Sequence, residues 1–247
     1  MKLIKARGLV IKEFDANESD KRLLLLCKEL GRVMVFARGA KRTKSPLMPS
    51  AQLFCYSDFM LLDGRSFYSV TQADVLRSFY GLRRDYDCLM AAHLLAEVCD
   101  KSTLAHQNLD GLMLLALRAL SLLEKNACPP RQVEAVFLLL ALNFHGLGPL
   151  ADACADCGMP LAEMRAAGGG LRFSGGGLCC KSCCRQKKTR PVSDACLAAV
   201  GHVLSCDMPA AFRFEARADV LENLRDTALF LWKANNDFEL VSAGGGR

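Results

Sequence analysis

The amino-acid sequence predicts an α+β protein in which an N-terminal β-barrel is followed by a helical domain that carries a cysteine-rich insert. Three observations lead to this fold class. Short apolar runs of strand length, separated by turn-forming residues, fill the first 80 positions. Apolar residues recur at helical spacing from about position 81 onward. Between two helical blocks, six of the 13 cysteines fall within positions 154–184.

The first 80 residues contain five candidate strands. These are Lys5–Phe14, Lys21–Lys28, Arg32–Arg38, Leu53–Leu62 and Ser66–Gln72. Turn-forming residues separate most of them, at positions 15–20, 29–31 and 63–64, and a longer insertion separates the third strand from the fourth. Five short strands at this spacing favour a small barrel of the OB type. A fragment of a β-sandwich is the alternative.

Helices are predicted on both sides of the cysteine-rich insert. A helical repeat begins near Leu82 and continues through Tyr86 and His93. The later helices are predicted at Asn108–Lys125, Pro129–Phe144, Ser193–Ser205 and Ala216–Ala234. The expected domains are therefore a barrel at 1–80, a helical domain at 81–149 and 193–247, and the insert at 150–192.

Thirteen cysteines need a chemical reason. An odd number in a chain expected to stay in the cytosol argues against a disulfide framework, because cytosolic thiols are kept reduced. Seven cysteines stand apart, mostly in apolar periodic segments, where a free cysteine behaves as a small buried hydrophobic residue. The other six form a cluster, and the cluster points to a metal site.

Two C-x-x-C pairs, Cys154/Cys157 and Cys180/Cys183, predict a zinc finger. Their four thiolates can converge tetrahedrally on one Zn²⁺, and the glycines beside the second pair suit tight turns. The 22 residues between the pairs would be absorbed by a short hairpin over positions 170–177. Four cysteine ligands leave no open coordination position, so the zinc is expected to be structural.

The register of the second cysteine pair stays open at this point. Cys179 and Cys184 offer two alternatives, Cys179-x3-Cys183 and Cys180-x3-Cys184. Only the pairing of Cys180 with Cys183 keeps the two-residue spacing of the first pair. A redox or disulfide cluster is the alternative to zinc.

Positive charge is concentrated in two segments. Residues 1–80 carry a net charge of +6 and residues 150–192 a net charge of +4, whereas the two helical segments are neutral to acidic. Four cations with small residues between them lie directly after the third predicted strand: Arg38, Lys41, Arg42 and Lys44. Such a loop allows side chains and backbone to approach phosphates closely, which is typical of nucleic-acid binding.

Neighbouring residues supply further candidates for this surface. Cations that could extend it are Arg7, Lys12, Lys21, Arg22 and Arg32. Aromatic residues that could stack on bases are Phe14, Phe36, Phe54, Tyr56, Phe67 and Tyr68. The insert adds a basic tail at Lys181, Arg185, Lys187, Lys188 and Arg190. The competing interpretation is that most of these aromatics fill the barrel core and that the charges are solvated.

Several classes of protein are disfavoured. A composition of 51% hydrophobic and 23% charged residues excludes a disordered chain. No apolar run reaches the ~20 residues that a bilayer helix needs. Cations among the first seven residues leave no apolar signal-peptide region, so a cytoplasmic protein without membrane contact is expected. No Walker A, nucleophile-elbow, H-E-x-x-H or paired-carboxylate motif is present, and an enzyme is not expected.

Segments that match a known family occur in the same order along the chain. An opening hairpin lies at Gly8–Lys12 and Glu18–Leu24, and a third strand with its basic loop lies at Gly31–Arg42 with Ser45. Together with C-x-x-C pairs inside a helical domain, this pattern resembles the RecO family of bacterial recombination mediators. The resemblance covers nearly the whole chain, is most specific from 31 to 45, and is weak beyond about 205.

The resemblance implies an OB-fold, a helical domain, a zinc finger and a non-enzymatic role in DNA repair and recombination through the RecF pathway. It implies binding to single- and double-stranded DNA and annealing of complementary strands. It also implies partnership with RecR in loading RecA onto DNA coated by single-stranded-DNA-binding protein (SSB), whose C-terminal tail the family contacts.

Residue by residue, the resemblance assigns two sets of sites. By position, the DNA contacts are Arg38, Lys41, Arg42 and Lys44, and the zinc ligands are Cys154, Cys157, Cys180 and Cys183. The protein is then expected in the cytoplasm, associated with the nucleoid. The alternative function is a zinc-containing protein–protein adaptor with little DNA affinity, and strand annealing would separate the two.

Overall fold

The computed structural model describes residues 2–28, 30–64, 67–105, 107–168 and 170–244. Backbone contacts divide the chain into two compact units, Met1–Lys125 and Asn126–Arg247. The prediction of an α+β protein with an N-terminal five-stranded sheet and a helical C-terminal part is confirmed. Ser66, where the fifth strand was expected to begin, position 29 of a predicted turn and Gly169 of a glycine triplet lie outside the described residues.

Five strands of the first unit close into a barrel. They are β1 (Leu3–Asp15), β2 (Lys21–Cys27), β3 (Gly31–Ala37), β4 (Tyr56–Asp63) and β5 (Tyr68–Arg77). Their order around the barrel is β1-β2-β3-β5-β4, and β4 pairs back onto β1. The pairing of β3 with β5 is parallel, whereas the other pairings are antiparallel. All five predicted strands are confirmed, with ends displaced by a few residues.

The barrel core follows from the two-residue period of its strands. In β3, the inward residues Val33, Val35 and Ala37 are buried, whereas the residues between them are partly or fully exposed. In β2 the buried run is continuous, because Leu24 and Leu26 on the outer face are also covered. A sequence pattern of this kind identifies a strand that is covered on both faces.

A chain of turns, residues 38–55, connects β3 to β4. This is the longer insertion that the sequence predicted between the third and fourth strands. Ala40, Leu47, Ala51 and Cys55 from this connection are buried in the same core cluster as the strands. The connection is therefore packed against the barrel and does not form an independent element.

Two helices complete the first unit, α1 (Tyr86–Ser102) and α2 (Asp110–Glu124), and a 3-10 turn at Tyr80–Arg84 precedes them. The side chain of Asp85 caps α1 by accepting a hydrogen bond from the Cys88 N–H at 2.9 Å. Asp100 on α1 binds Lys12 of β1 and Arg32 of β3, so α1 covers part of the outer face of the sheet.

The second unit is built on three longer helices, α3 (Pro130–Phe144), α5 (Asp194–Ser205) and α7 (Ala218–Asn235), with the short α6 (Met208–Ala211) between the last two. Buried apolar side chains such as Phe137, Leu224 and Trp232 fill the space between these helices. None of the helices in the described part of the chain combines the length and the apolar character that a membrane crossing requires.

The segment 150–192, called the cysteine lobe below, lies between α3 and α5 in the chain. It contains α4 (Leu161–Ala166), β6 (Leu171–Ser174), β7 (Gly177–Cys179) and β8 (Arg190–Val192), and the strand order is β7-β6-β8. The hairpin predicted over 170–177 is confirmed as β6 and β7, with Ser174 opposite Gly177. The short α4 and β8 were not predicted.

Candidate nucleic-acid interface and metal centre

The basic loop, residues 38–45, begins where β3 ends. Its four predicted DNA contacts, Arg38, Lys41, Arg42 and Lys44, are all exposed to solvent. Ala40 between them is fully buried, so the loop is fixed to the barrel while its cations point outward. The loop can therefore present positive charge at a defined place on the barrel.

Hydrogen bonds from the β1–β2 turn hold the basic loop in place. The Asp20 carboxylate accepts a hydrogen bond from the Gly39 N–H at 2.7 Å, and the Lys41 N–H donates to the Ser19 carbonyl at 2.9 Å. The Asn17 side chain donates to Asp20 at 2.8 Å. Gly39 has a φ of +67°, a left-handed conformation that favours glycine.

The Asp20 carboxylate is stabilised in its charged form. The Gly39 N–H, the Asn17 amide, the Ser19 hydroxyl and the charge of Arg42 together hold its pKa below the ordinary value, and the Gly39 hydrogen bond is the largest cause. The turn expected at positions 15–20 thus has a second role. It binds the backbone of the loop that carries the cations.

Three of the four loop cations form no ion pair with any acidic residue in the described part of the chain. These are Arg38, Arg42 and Lys44. Lys41 differs, since its Nζ lies 3.2 Å from the Asp15 carboxylate and 3.3 Å from the Asn17 carbonyl. Arg38 and Lys44 therefore keep positive charge that is available to an anion, whereas the charge of Arg42 also acts on the Asp20 carboxylate without forming an ion pair.

Four of the five strand cations that were expected to extend the surface are engaged within the first unit. The pairs are Arg7–Asp58 at 3.0 Å, Lys21–Glu13 at 2.7 Å, and Lys12–Asp100 and Arg32–Asp100 at 2.5 Å each. The exposed Arg22 forms no ion pair among the described residues. The cationic surface is consequently narrower than the count of basic residues indicates.

Asp100 is the most enclosed of these carboxylates, with its side chain 12% exposed. Burial raises the pKa of Asp100, but hydrogen bonds and charge from Lys12 and Arg32 outweigh burial and leave the pKa below its ordinary value. The three residues form a structural link between the sheet and α1. They are therefore poor candidates for phosphate contacts.

The structure separates the candidate stacking aromatics into core and surface residues. Phe54 is 1% exposed and belongs to the buried interior. Tyr68 is half-buried against the core cluster. Phe14 and Phe67 are exposed, and Phe36 is half-buried. The expectation that aromatics fill the core thus holds for some of the set only.

The cysteine lobe brings four predicted ligands together. The Sγ atoms of Cys154, Cys157, Cys180 and Cys183 all lie within 4.8 Å of one another. The Sγ atoms of Cys157 and Cys180 are 3.7 Å apart. In a tetrahedral zinc site with Zn–S bonds of about 2.3 Å, the sulfur atoms are roughly 3.8 Å apart. The group therefore fits a four-thiolate metal centre.

Local backbone geometry prepares the first C-x-x-C pair for a metal. The Cys180 N–H donates a hydrogen bond to the Cys154 Sγ at 3.3 Å, and the Gly158 N–H donates to the Cys154 carbonyl at 2.9 Å. Gly158 has a φ of +73°, which closes the turn. Burial raises the pKa of Cys154, but backbone N–H donors outweigh it and leave the pKa below its ordinary value.

In the second pair, hydrogen bonds between neighbouring groups shift the pKa values of the two thiols in opposite directions. The Ser182 hydroxyl is the largest cause that lowers the pKa of Cys180, to about 6. The hydrogen bond to Cys180 is the largest cause that raises the pKa of Cys183, to about 12. A divalent cation would favour the thiolate form of every ligand, since only thiolates bind metal strongly.

Cys179 and Cys184 have other partners. The Cys179 thiol lies 3.5 Å from the Asp156 carboxylate, and the Cys184 thiol donates to the Cys179 carbonyl at 3.3 Å. Cys154, Asp156 and Cys179 form a second, three-membered group within 4.8 Å. Because that group supplies one ligand fewer and includes a carboxylate, the four-cysteine group fits structural zinc better.

The basic tail of the lobe is also partly neutralised. Lys187 forms an ion pair with Asp156, and Arg190 forms one with Asp226 at 2.8 Å. Lys181, Arg185 and Lys188 are exposed. Sequence reasoning placed these five cations together, but it could not identify their acidic partners.

Comparison with known proteins gives a consistent result over both units. A model described as "Recombination protein O N terminal" matches residues 1–79, and one described as "Recombination protein O C terminal" matches residues 83–229.

Curated relatives named DNA repair protein RecO match this chain over most of their length. DNA repair protein RecO of Acetivibrio thermocellus is 31% identical, covering 91% of this chain and 88% of the relative. The protein of the same name from Desulfitobacterium hafniense strain Y51 is 32% identical, covering 97% and 90%. The one from Alkaliphilus metalliredigens is 35% identical, covering 73% and 72%.

Proposed function

Since this chain belongs to the recombination protein O family and has a role in DNA repair and recombination, we propose that it is a non-enzymatic mediator that binds single- and double-stranded DNA and anneals complementary strands. The observation that carries the DNA-binding part is the basic loop. Among the described residues, three of its cations form no ion pair, Arg38, Arg42 and Lys44, whereas most of the neighbouring strand cations do.

Phosphate contact explains how such a loop promotes annealing. Two single strands repel each other because each carries one negative charge per nucleotide. Cations that bind phosphates release counterions and lower this repulsion, and they act on every sequence alike. Lys41 is the fourth proposed contact, and it would exchange its ion pair with Asp15 for a phosphate.

The barrel is proposed to be an OB-fold and to form the DNA-binding domain over residues 1–80. Support comes from the five-stranded closed order β1-β2-β3-β5-β4 with its parallel β3–β5 pairing. The helical domain is proposed at 81–149 and 193–247, with the zinc finger at 150–192. The two family models also divide the chain near residue 80.

Zinc is the proposed metal of the cysteine lobe, held by Cys154, Cys157, Cys180 and Cys183. When bound there, it would supply folding free energy and no chemistry, because four thiolates occupy every coordination position. The lobe residues themselves fix the ligand positions through the Gly158 turn and the β6–β7 hairpin.

Further partners are proposed from the family resemblance. They are RecR, with which the protein would help to load RecA onto SSB-coated DNA, and the C-terminal tail of SSB. The proposed location is the cytoplasm, in association with the nucleoid.

Annealing of two complementary, labelled oligonucleotides tests the proposal. The loop triple variant, Arg38→Ala/Arg42→Ala/Lys44→Ala, removes the unpaired cations. The strand triple variant, Lys5→Ala/Arg7→Ala/Lys28→Ala, removes the same charge from cations that pair with Asp58 and Asp110. We expect the wild type and the strand variant to accelerate annealing, and the loop variant to lose at least about 10-fold in rate.

A wild-type protein that leaves annealing at its spontaneous rate would contradict the proposed function. The adaptor interpretation, in which the protein binds proteins and has little affinity for DNA, would then be favoured. Equal losses in the two triple variants would show that total charge matters and that the basic loop is not the contact.

A further inference from the structure

One row of side chains crosses the outer face of β1, β2 and β3 at the end nearest the basic loop. Phe14 on β1 is paired with Arg22 on β2, and Arg22 is paired with Phe36 on β3. Residues directly opposite each other in a sheet project from the same face. Since their neighbours Leu23 and Val35 point into the core, this row points outward.

Phe67, just before β5, extends the row. Its ring centroid lies 6.0 Å from that of Phe36, with the two ring planes tilted by 43°. At the other end of the row, the Arg22 guanidinium lies 5.8 Å from the centre of the Phe14 ring. The result is a continuous strip of aromatic and guanidinium groups, called the aromatic row below.

Both ends of the aromatic row are open to solvent, and Phe36 between them is half-buried. Phe14 is 39% exposed and Phe67 is 52% exposed. One step along the strands, Leu24 is paired with both Lys12 and Met34 and is 7% exposed. Apolar area left in water forgoes the hydrophobic stabilisation that burial would give. The rings of Phe14 and Phe67 therefore keep surface that a ligand can cover.

Two cations lie in or beside the aromatic row, and the acidic residues near its two ends are Asp15 and Asp63. Arg22 lies within the row, and Arg38 follows Phe36 by two residues. Neither cation forms an ion pair among the described residues. Next to Phe67 there is a hollow of about 350 Å³, whose lining includes Met34 and Tyr68 and the charged residues Arg32 and Asp63. Flat apolar surfaces flanked by cations match a chain of planar bases on an anionic backbone.

We propose that Phe14, Phe36 and Phe67 form a stacking platform for the unpaired bases of single-stranded DNA, whose phosphates run along Arg22 and the basic loop. This inference rests on the proposed function and deepens it. The basic loop binds any phosphate chain, whereas the aromatic row binds only bases that are free to stack. The two surfaces thus separate general DNA affinity from preference for single strands.

The platform has a consequence for annealing. Bases that enter a duplex stack on each other and leave the aromatic row. The annealed product then keeps its contacts with the loop cations only. The protein consequently binds the product less tightly than the separate strands, which favours release after pairing.

The wild-type protein alone provides the first test. Its affinity is measured for a 20-nucleotide thymidine oligomer, for an abasic oligomer of the same length and charge, and for a 20-base-pair duplex. Because stacking contributes binding free energy for each base, we expect the abasic oligomer to bind roughly 10-fold or more weakly than the thymidine oligomer. Equal affinities for these two single strands would overturn the platform.

The Phe36→Leu/Phe67→Leu variant provides the second test. We expect it to lose roughly 10-fold or more in affinity for the thymidine oligomer, and less than about two-fold for the duplex and the abasic oligomer. Tyr86→Leu is the matched control, because Tyr86 is 66% exposed but lies on α1. This control should bind all three ligands like the wild type.

The outcomes separate failure of the platform from failure of the proposed function. Duplex binding that persists while the thymidine and abasic oligomers bind equally would overturn the platform and leave the loop as the DNA contact. An equal loss for all three ligands in the phenylalanine variant would also overturn it. Absence of binding to any of the three by the wild type would contradict the proposed function itself.

Discussion

The barrel and the cysteine lobe are both small β structures with an excess of basic residues, yet they are stabilised in different ways. The barrel encloses one apolar cluster to which every strand contributes. In the described part of the lobe, the buried apolar residues other than cysteines are Met164, Phe173, Leu178 and Val192. So few apolar contacts cannot offset the chain entropy of 43 residues.

This comparison separates two uses of polar side chains. In the lobe, four thiols gather in one place and are suited to bind a metal that stabilises the fold. In the barrel, one shared apolar cluster takes the place of a metal, and most strand cations form ion pairs. Among the described candidate DNA contacts, the cations that form no ion pair are Arg22 and three residues of the basic loop, Arg38, Arg42 and Lys44. Unpaired charge, more than net charge, therefore locates the candidate DNA interface.

The largest expected effect concerns the lobe. Cys183→Ser should reduce bound zinc from about one per chain to nearly none, because it removes one of four ligands. The lobe should then become sensitive to protease while the barrel stays protected. Metal analysis and limited proteolysis of the purified protein measure both effects.

Cys184→Ser is the matched control, since Cys184 is the next residue, lies outside the four-cysteine group and forms its side-chain hydrogen bonds to Cys179. A serine hydroxyl can replace those hydrogen bonds, so zinc content should be unchanged. Zinc lost from Cys184→Ser and kept in Cys183→Ser would contradict the assigned ligand register.

An intermediate effect is expected in the barrel. Asp100→Asn removes the charge that binds both Lys12 and Arg32, and it should destabilise the first unit by about 1–2 kcal/mol at neutral pH. Asp58→Asn is the control. It also removes a carboxylate shared by two cations, but Lys5 and Arg7 are mostly exposed, so its cost should stay below about 0.5 kcal/mol. Hydrogen exchange of barrel peptides in increasing urea measures both.

The cost of Asp100→Asn should also depend on pH. The pKa of Asp100 is lowered in the folded protein, so its contribution is present above the pKa of the unfolded chain. That contribution is lost as the pH falls through the folded pKa. The difference in stability between the wild type and Asp100→Asn should therefore shrink in acid. A difference that stays constant from neutral to acid pH would contradict the ionic role of Asp100.

The smallest expected effects come from two glycines and have opposite signs. Gly39→Ala should destabilise the basic loop by about 1 kcal/mol, because alanine is strained at a φ of +67°. Gly201→Ala should stabilise α5 by about 0.5–1 kcal/mol, because an added Cβ meets nothing within 4 Å and glycine is a poor helix former.

Each glycine variant has its own measurement. Hydrogen exchange of the loop reports on Gly39→Ala. The fluorescence of Trp232, the single tryptophan, reports on Gly201→Ala because it lies in the second unit. A stabilised loop in Gly39→Ala, or a destabilised helix in Gly201→Ala, would show that the backbone argument is wrong.

The elements that the sequence predicted correctly are those that depend on a local pattern of residues. The strands, the insertion after β3 and the hairpin over 170–177 depend on residues close together in the chain. The far end of β5 was missed, because its last residues are mostly exposed and show no alternation. The six-residue α4 and three-residue β8 are too short to produce a period.

The candidate site was predictable only in part. Which carboxylate binds each cation, and which cysteines come together, depends on the tertiary fold. The sequence shows the cations of the barrel but not that Lys12 binds Asp100, which lies 88 residues away. It leaves three registers open for the second cysteine pair. Cys179 ends β7, and its thiol turns to Asp156, so the fold groups Cys180 and Cys183 with the first pair.

The most direct measurement is the salt dependence of single-stranded DNA binding. Fluorescence anisotropy measures this binding for the wild type, the loop triple variant and the strand triple variant. If the basic loop contacts phosphates, the slope of log affinity against log salt should decrease by about 2 in the loop variant and stay nearly unchanged in the strand variant. A loop variant with the slope of the wild type, or equal decreases in both variants, would contradict the basic loop as the DNA contact.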